Sequence, residues 1–388
     1  MSNDTPKLSD QTVLTYAREN LSKHLPLQAD GYACTTADLL NALLGVAANR
    51  GTLEAVCADL VGTPDPETIR TYFRAQLRVE DLPDLERRVN AALAAEIPPR
   101  VWRRAQDVAM DFHDRPYYGK VPQAAGLWVR GQARDGTTRF YRIATAYVMR
   151  KHLRVTLALR FVLPDEDTVT IVADLRKRLK TLGIRVAHLF LDKGFAGIGV
   201  MDYLTHDGQP ALIACPIRGK TGGTRALCHG MKSYRTTYTF QGPNHTAFTA
   251  EMAVCRVFTT ARRTGRLKRR AEWLLFILIH LDWSPKHARR EYRRRFGVES
   301  SYRCAGQVRG WTTSPNPVYR FLLIALSFVL LNVWLHLRWL FTQMPRRGHR
   351  WLDTKRFQLS RLVKFIRRAL EGHYGYVQEI VATALPQP

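Results

Sequence analysis

Tyr292, Arg295, Glu299 and Arg303 stand at i, i+3, i+7 and i+11 in the most basic stretch of this chain. On one helix these four share a face. That face offers an aromatic ring, one carboxylate and two guanidinium forks, a combination suited to holding a metal ion beside bound phosphate. Two further acids stand at the ends of segments that read as strands, Asp111 closing 105–112 and Asp192 closing 186–191. With those strands neighbours in one sheet, their carboxylates converge, and a helix laid over the edge brings Glu299 to the same point. Three hard oxygen donors with open positions suit Mg²⁺ or Mn²⁺, whereas zinc asks for histidine or cysteine. Two such ions activate a water or a 3′-hydroxyl and stabilise the leaving oxygen in an in-line attack on a phosphodiester. Each acid alone has a plainer reading: a turn or cap at Asp111, a turn or ion pair at Asp192, an i,i−4 partner of Arg295 at Glu299. Asp114, beside Arg115, competes with Asp111 for the first position.

Composition says what such a site acts on. The 388 residues carry a formal net charge of +26, with a pI near 10.3, far beyond what solubility requires. The expected partner is a polyanion. Three runs concentrate the charge: Arg262 to Arg270, Lys286 to Arg295 and Arg346 to Arg368. At 46% hydrophobic residues the chain buries a sizeable core in two or three units and is no disordered basic tail. Six scattered cysteines with no Cys-x-x-Cys pair indicate neither a zinc ribbon nor a disulfide framework, and fit a reducing, cytoplasmic setting. The first ten residues have no apolar run behind a basic region, so no secretory signal is expected. Phe321 to Leu335 is apolar but interrupted by Asn332 and followed by His336 and Arg338. It falls short of the ~20 apolar residues a membrane span needs, so a buried core helix is expected, with no membrane partner.

The elements that must position the acids fall into segments. Residues 1–95 read as helical, with Thr36 capping a run at helix period. Thr52 starts a second helix, and Asp65-Pro66 opens a third that carries Arg70 and Arg74. Helix, turn and arginine-bearing helix suggest a DNA-binding unit. Residues 91–100 form the linker. From 100 to 219 the expected order is three strands (105–112, 140–148, 153–162), helix (167–182), strand (186–191), helix (198–205) and strand (211–215), an α/β order with a mixed sheet. Residues 220–283 turn β-like, 284–341 return to helix, and 342–388 form a basic helical region.

The order Asp111, then Leu191-Asp192-Lys193-Gly194-Phe195, then Tyr292-x-x-Arg295-x-x-x-Glu299, then Gln307-Val308-Arg309 and an apolar helix resembles the DDE transposases of prokaryotic insertion sequences. It is similar to the cut-and-paste group whose ribonuclease H-like core carries a β-rich insertion before the glutamate. The gaps agree with that group: 81 residues from Asp111 to Asp192 and 107 from Asp192 to Glu299. The resemblance, over about residues 100–341, implies a ribonuclease H-like mixed sheet with the insertion at 220–283, an N-terminal helical domain and C-terminal helices. It implies a catalytic, metal-binding triad of Asp111, Asp192 and Glu299 with two Mg²⁺ or Mn²⁺ ions. Tyr292 and Arg295 would touch the DNA backbone. A lysine usual seven residues after the glutamate is Gly306 here, which leaves Arg303 or Arg309 to replace it. The implied activity is binding, cleavage and strand transfer of terminal inverted repeats, by a homodimer on double-stranded DNA. A metal-dependent nuclease on the same fold and an inactive, domesticated DNA-binding derivative are the competing readings.

Overall fold

The computed structural model describes residues 7–120, 126–150, 152–263, 266–344 and 351–380. Along the chain lie α1 (Asp10–His24), β1 (Asp30–Gly31), β2 (Cys34–Thr35), α2 (Thr36–Asn49), α3 (Leu53–Asp59), α4 (Pro66–Gln76) and α5 (Leu82–Ala95). Next come β3 (Gln106–Pro116), β4 (Val129–Arg134), β5 (Thr137–Val148), β6 (Thr156–Val162), α6 (Thr168–Thr181), β7 (Val186–Leu191), α7 (Ile198–His206) and β8 (Ala211–Cys215). β9 (Tyr234–Gln241), β10 (Ala247–Arg263), β11 (Arg266–Ile279), α8 (Pro285–Arg294) and α9 (Gly297–Ala305) follow. The chain closes with α10 (Pro317–Phe341), β12 (Gln343–Met344), β13 (Trp351–Leu352) and α11 (Leu359–Tyr374). It divides into two compact units: residues 1–98, 118–127 and 302–388 in one, residues 99–117 and 128–301 in the other.

In the first, helical unit, the apolar run before His336 is α10, which is apolar and long enough to cross a membrane but has 89% of its most apolar window buried inside the protein. Asn332, the residue that interrupts the run, donates its Nδ2 to Leu93 O at 3.2 Å, satisfying a polar group that burial would otherwise penalise. The cap of α2 lies one residue earlier than expected. Thr35 and Asp38 form a reciprocal capping box, while the Thr36 hydroxyl accepts from Ala29 N at 2.9 Å. Asp65 caps α4 through Glu67 N at 2.8 Å, with proline in the first turn. The α4 arginines already have acids: Arg70 meets Glu54 and Glu67, and Arg74 meets Glu67.

The second unit is built on one mixed sheet in the order β4-β5-β3-β7-β8-β11-β10-β9, with β6 also on β5. Among the described residues, only β3–β7 and β7–β8 are parallel. The central strands are apolar where they pair in parallel, as strands covered on both faces must be; Val108–Met110, Leu189–Leu191 and Ala211–Ile213 are all fully buried. At the edge, β9 alternates between half-buried and exposed. The β-like stretch after residue 220 does not form a sheet apart, because β11 pairs with β8 from Leu275↔Cys215 to Ile279↔Ala211 and carries β10 and β9 outward. The first strand is longer than expected, continuing past Asp111 to Pro116 through its antiparallel pairing with β5. Side chains at 260–269, and Arg346, Arg347 and Arg350, expected to carry DNA-binding charge, lie outside the described residues. None of the six cysteines forms a disulfide.

Candidate active site

The parallel ladder between β3 and β7 ends with Met110 opposite Leu191. The next residue on each strand is an aspartate, so Asp111 and Asp192 leave the ladder side by side over a buried apolar wall. Asp111 Oδ1 accepts from Phe112 N at 3.0 Å and from Arg295 Nη2 at 2.9 Å. The same nitrogen stands 3.4 Å from Asp192 Oδ2. One guanidinium thus serves both carboxylates. The Tyr292 hydroxyl donates to Asp192 Oδ1 at 3.2 Å and lies 3.4 Å from Leu191 O, fixing that carboxylate from its other side.

Burial dominates the electrostatics of Asp111. Removal from water raises its pKa, Arg295 opposes, and the charges of Asp192 and Glu299 add to the rise, so the carboxyl is pushed up to about 6. Its side chain is 13% exposed against 37% for Asp192. Tyr292, buried with its ring 4.9 Å from Phe276, has its hydroxyl pushed well above the ordinary value, first by burial. Arg295 is 5% exposed, and its Nε is buried with no hydrogen-bond partner among the described residues.

The stripe of four residues expected on one helix is broken between its second and third members. α8 ends at Arg294 and α9 starts at Gly297, with a tight turn between. Arg295 O accepts Val298 N at 2.8 Å and the Tyr147 hydroxyl at 2.7 Å, so it is satisfied by a short turn and a side chain instead of by the amide four residues on. At Gly297 a Cβ would stand 2.7 Å from the Arg154 guanidinium, which packs over this turn and would have to shift to admit it. The break keeps Tyr292 and Arg295 on the aspartates and moves Glu299 to the exposed first turn of α9, where a carboxylate is favoured by the helix dipole. Its charge still reaches Asp111. Among the described residues, no three aspartate, glutamate, histidine or cysteine side chains are gathered closely enough to hold a metal ion.

Asp114 lies on the opposite face of β3 from Asp111, as an odd spacing requires. Arg142 on β5 grips it with two hydrogen bonds, at 2.7 and 3.0 Å. Arg303 is exposed in the last turn of α9 and Arg309 is buried 5.5 Å from the Trp311 ring; both belong to the helical unit. Sequence reasoning did not single out Tyr147 or Arg154, which shape the turn, nor Asp107, which pairs with Arg294 at 2.9 Å and His188 at 2.9 Å. Tyr147 and Arg295 are 148 positions apart, and no local pattern marks such a contact.

No family model and no curated protein matches this chain. The fold is a large mixed sheet with helices. A solved structure with this fold is the piggyBac transposase synaptic complex with hairpin DNA, matched at a TM-score of 0.54 over 93% of this chain and 76% of that one. With 10% sequence identity the likeness is one of fold.

Proposed function

We propose that the protein is a DNA transposase of the insertion-sequence, cut-and-paste kind, which binds the inverted repeats at the ends of its element, cleaves there and joins the strands to target DNA. The observation that carries this reading is the meeting of Asp111 and Asp192 at the end of the parallel β3–β7 pair, sharing one cation with the charge of Glu299 close by. The net charge and the fold support it. Synapsis of two ends calls for at least a dimer on DNA.

The donor set suits a divalent cation in kind: carboxylate oxygens, two of which already hold a positive group in common. Asp111 and Asp192 would hold such an ion once Arg295 has left them, with Glu299 completing the set. The ion would supply Lewis-acid polarisation of a phosphodiester oxygen. The chain's own residues prepare this point. Tyr292 orients Asp192, Phe112 N orients Asp111, and the turn held by Tyr147 sets Arg295 over both. Arg295, displaced, becomes a fork for a phosphate.

The test is incubation of purified protein and Mg²⁺ with a labelled duplex carrying the element's end and flanking DNA, beside a scrambled-end control. Cleavage at the end junction alone, lost in Asp192→Asn and Glu299→Gln with binding retained, is the expected result. Cutting without end preference would make the protein a nuclease on this fold, and binding without cutting a DNA-binding protein that lacks the chemistry. Full cleavage in either variant would overturn the site.

A further inference from the structure

Within the helical unit, away from the carboxylates, a cavity of about 450 Å³ is lined by Lys355, Gln358, Ser360, Arg361, Lys364, Phe365 and Arg368. Arg361, Lys364 and Arg368 follow one another at i, i+3 and i+7 on α11 and therefore share a face. Lys355 joins them from the preceding turn. The opposite face of α11 is apolar and buried, with Leu359, Leu362, Ile366 and Ala369. This fixes the basic face toward solvent.

None of the four cations has a carboxylate partner among the described residues, in contrast to Arg70, Arg74, Arg87 and Arg88, which meet acids. The acids nearby in sequence are otherwise engaged or outside the cavity. Asp353 spends its Oδ1 on the backbone amides of Lys355 and Arg356, at 3.0 and 3.2 Å. Glu371 is exposed in the last turns of α11 and is not part of the wall. Arg361 is held partly in place by its Nη1 on Arg356 O at 3.3 Å. Four like charges around one concavity repel each other, and an anion there removes the repulsion. Phe365, half-buried and 6.2 Å from the buried Phe357, gives the cavity an apolar flank, which strengthens charge–charge attraction beside it. No side chain caps the first turn of α11, so the positive end of that helix adds to the same field.

We infer that this cavity seats the phosphodiester backbone of duplex DNA, as a contact independent of base sequence and separate from the carboxylate site. The inference rests on the proposed DNA-binding function and names the residues through which the C-terminal region takes part in it. With cations from two turns of one helix and from the turn before it, the wall can follow successive phosphates along a strand.

The experiment compares the full chain with Arg361→Gln/Lys364→Gln and with a control pair, Arg87→Gln/Arg88→Gln, which removes the same charge from α5. Binding of a labelled duplex of arbitrary sequence is followed by fluorescence anisotropy across a salt series, and melting midpoints verify that each variant is folded. The cavity pair should weaken binding about tenfold and flatten the log–log salt slope by about 0.9 for every phosphate that is no longer neutralised, while the control pair does not. Lys364→Glu should weaken binding further. If the wild type binds duplex and the cavity pair keeps its slope, or the control pair weakens as much, the inference falls and the DNA-binding function stands. If the wild type binds no duplex, both fall. If inorganic phosphate at constant ionic strength binds the wild type but not the cavity pair, while duplex binding is the same in both, the cavity takes small anions and the inference is overturned.

Discussion

Replacing Arg295 by glutamine tests whether one guanidinium holds the two aspartates in register. In the wild type, burial raises Asp111 to about 6 against the opposing pull of Arg295. A carboxyl raised in this way contributes stability that is fully present below its unfolded value near 4 and is lost as the pH climbs through 6, a loss of about 3 kcal/mol. The variant removes the lowering influence, so the folded-state value rises further, and each tenfold loss of acidity costs about 1.4 kcal/mol at a pH above it. At pH 5 Asp111 is largely protonated in both proteins and that penalty is nearly absent. Titration of the unfolded chain is common to both proteins and cancels. The expected result is a melting midpoint lowered by about 3 to 6 °C more at pH 7.5 than at pH 5, for a unit of this size. Any loss from packing against Tyr292 appears equally at both pH values. Asp111→Asn combined with Arg295→Gln should close the gap, because no carboxyl remains at 111 to be left without its partner. A penalty equal at pH 5 and pH 7.5 in the single variant would refute the pairing of a burial-raised Asp111 carboxyl with Arg295.

The same variant makes a second prediction, free of any activity assay. If Arg295 stands where a cation would be held, Arg295→Gln binds Mn²⁺ more tightly at pH 7.5, on the order of tenfold, as the free-ion spin-resonance signal would report. Weaker binding in the variant would mean that Arg295 orders the carboxylates for the ion instead of competing with it. Two glycines four residues apart should also respond in opposite directions. A Cβ at Gly306 meets nothing within 4 Å, so Gly306→Ala is neutral or stabilising by up to about 1 kcal/mol. A Cβ at Gly310 would lie 2.1 Å from Val46 Cγ1 and 3.3 Å from Val46 O, so Gly310→Ala should cost about 1 to 3 kcal/mol in urea unfolding.

The middle of the second unit was legible because β7 and β8 are short, apolar and punctuated. The runs at 186–191 and 211–215 leave no periodic alternative, and both coincide with β7 and β8. The convergence of Asp111 and Asp192 could be stated from sequence only as a consequence of adjacency, since pairing between strands about eighty residues apart leaves no local trace. What sequence could not show was the turn at Arg295. Residues 284–305 have an unbroken helical pattern with one glycine, and a lone glycine costs a helix only ~1 kcal/mol. The decision comes from outside the segment: a tyrosine hydroxyl on β5 donates to the Arg295 carbonyl, and the Arg154 guanidinium packs against Gly297. The same limit applies to the charges. Counting arginines treats Arg70, Arg295 and Arg361 as equals, yet the first is neutralised by glutamates, the second is buried on aspartates and the third faces a cavity with no acid in its wall. Net charge predicts a polyanion. Only the pairing of each cation says which of them are still available to meet it, and by that measure the open positive surface on α11 belongs to a different part of the chain from the arginines that first drew attention.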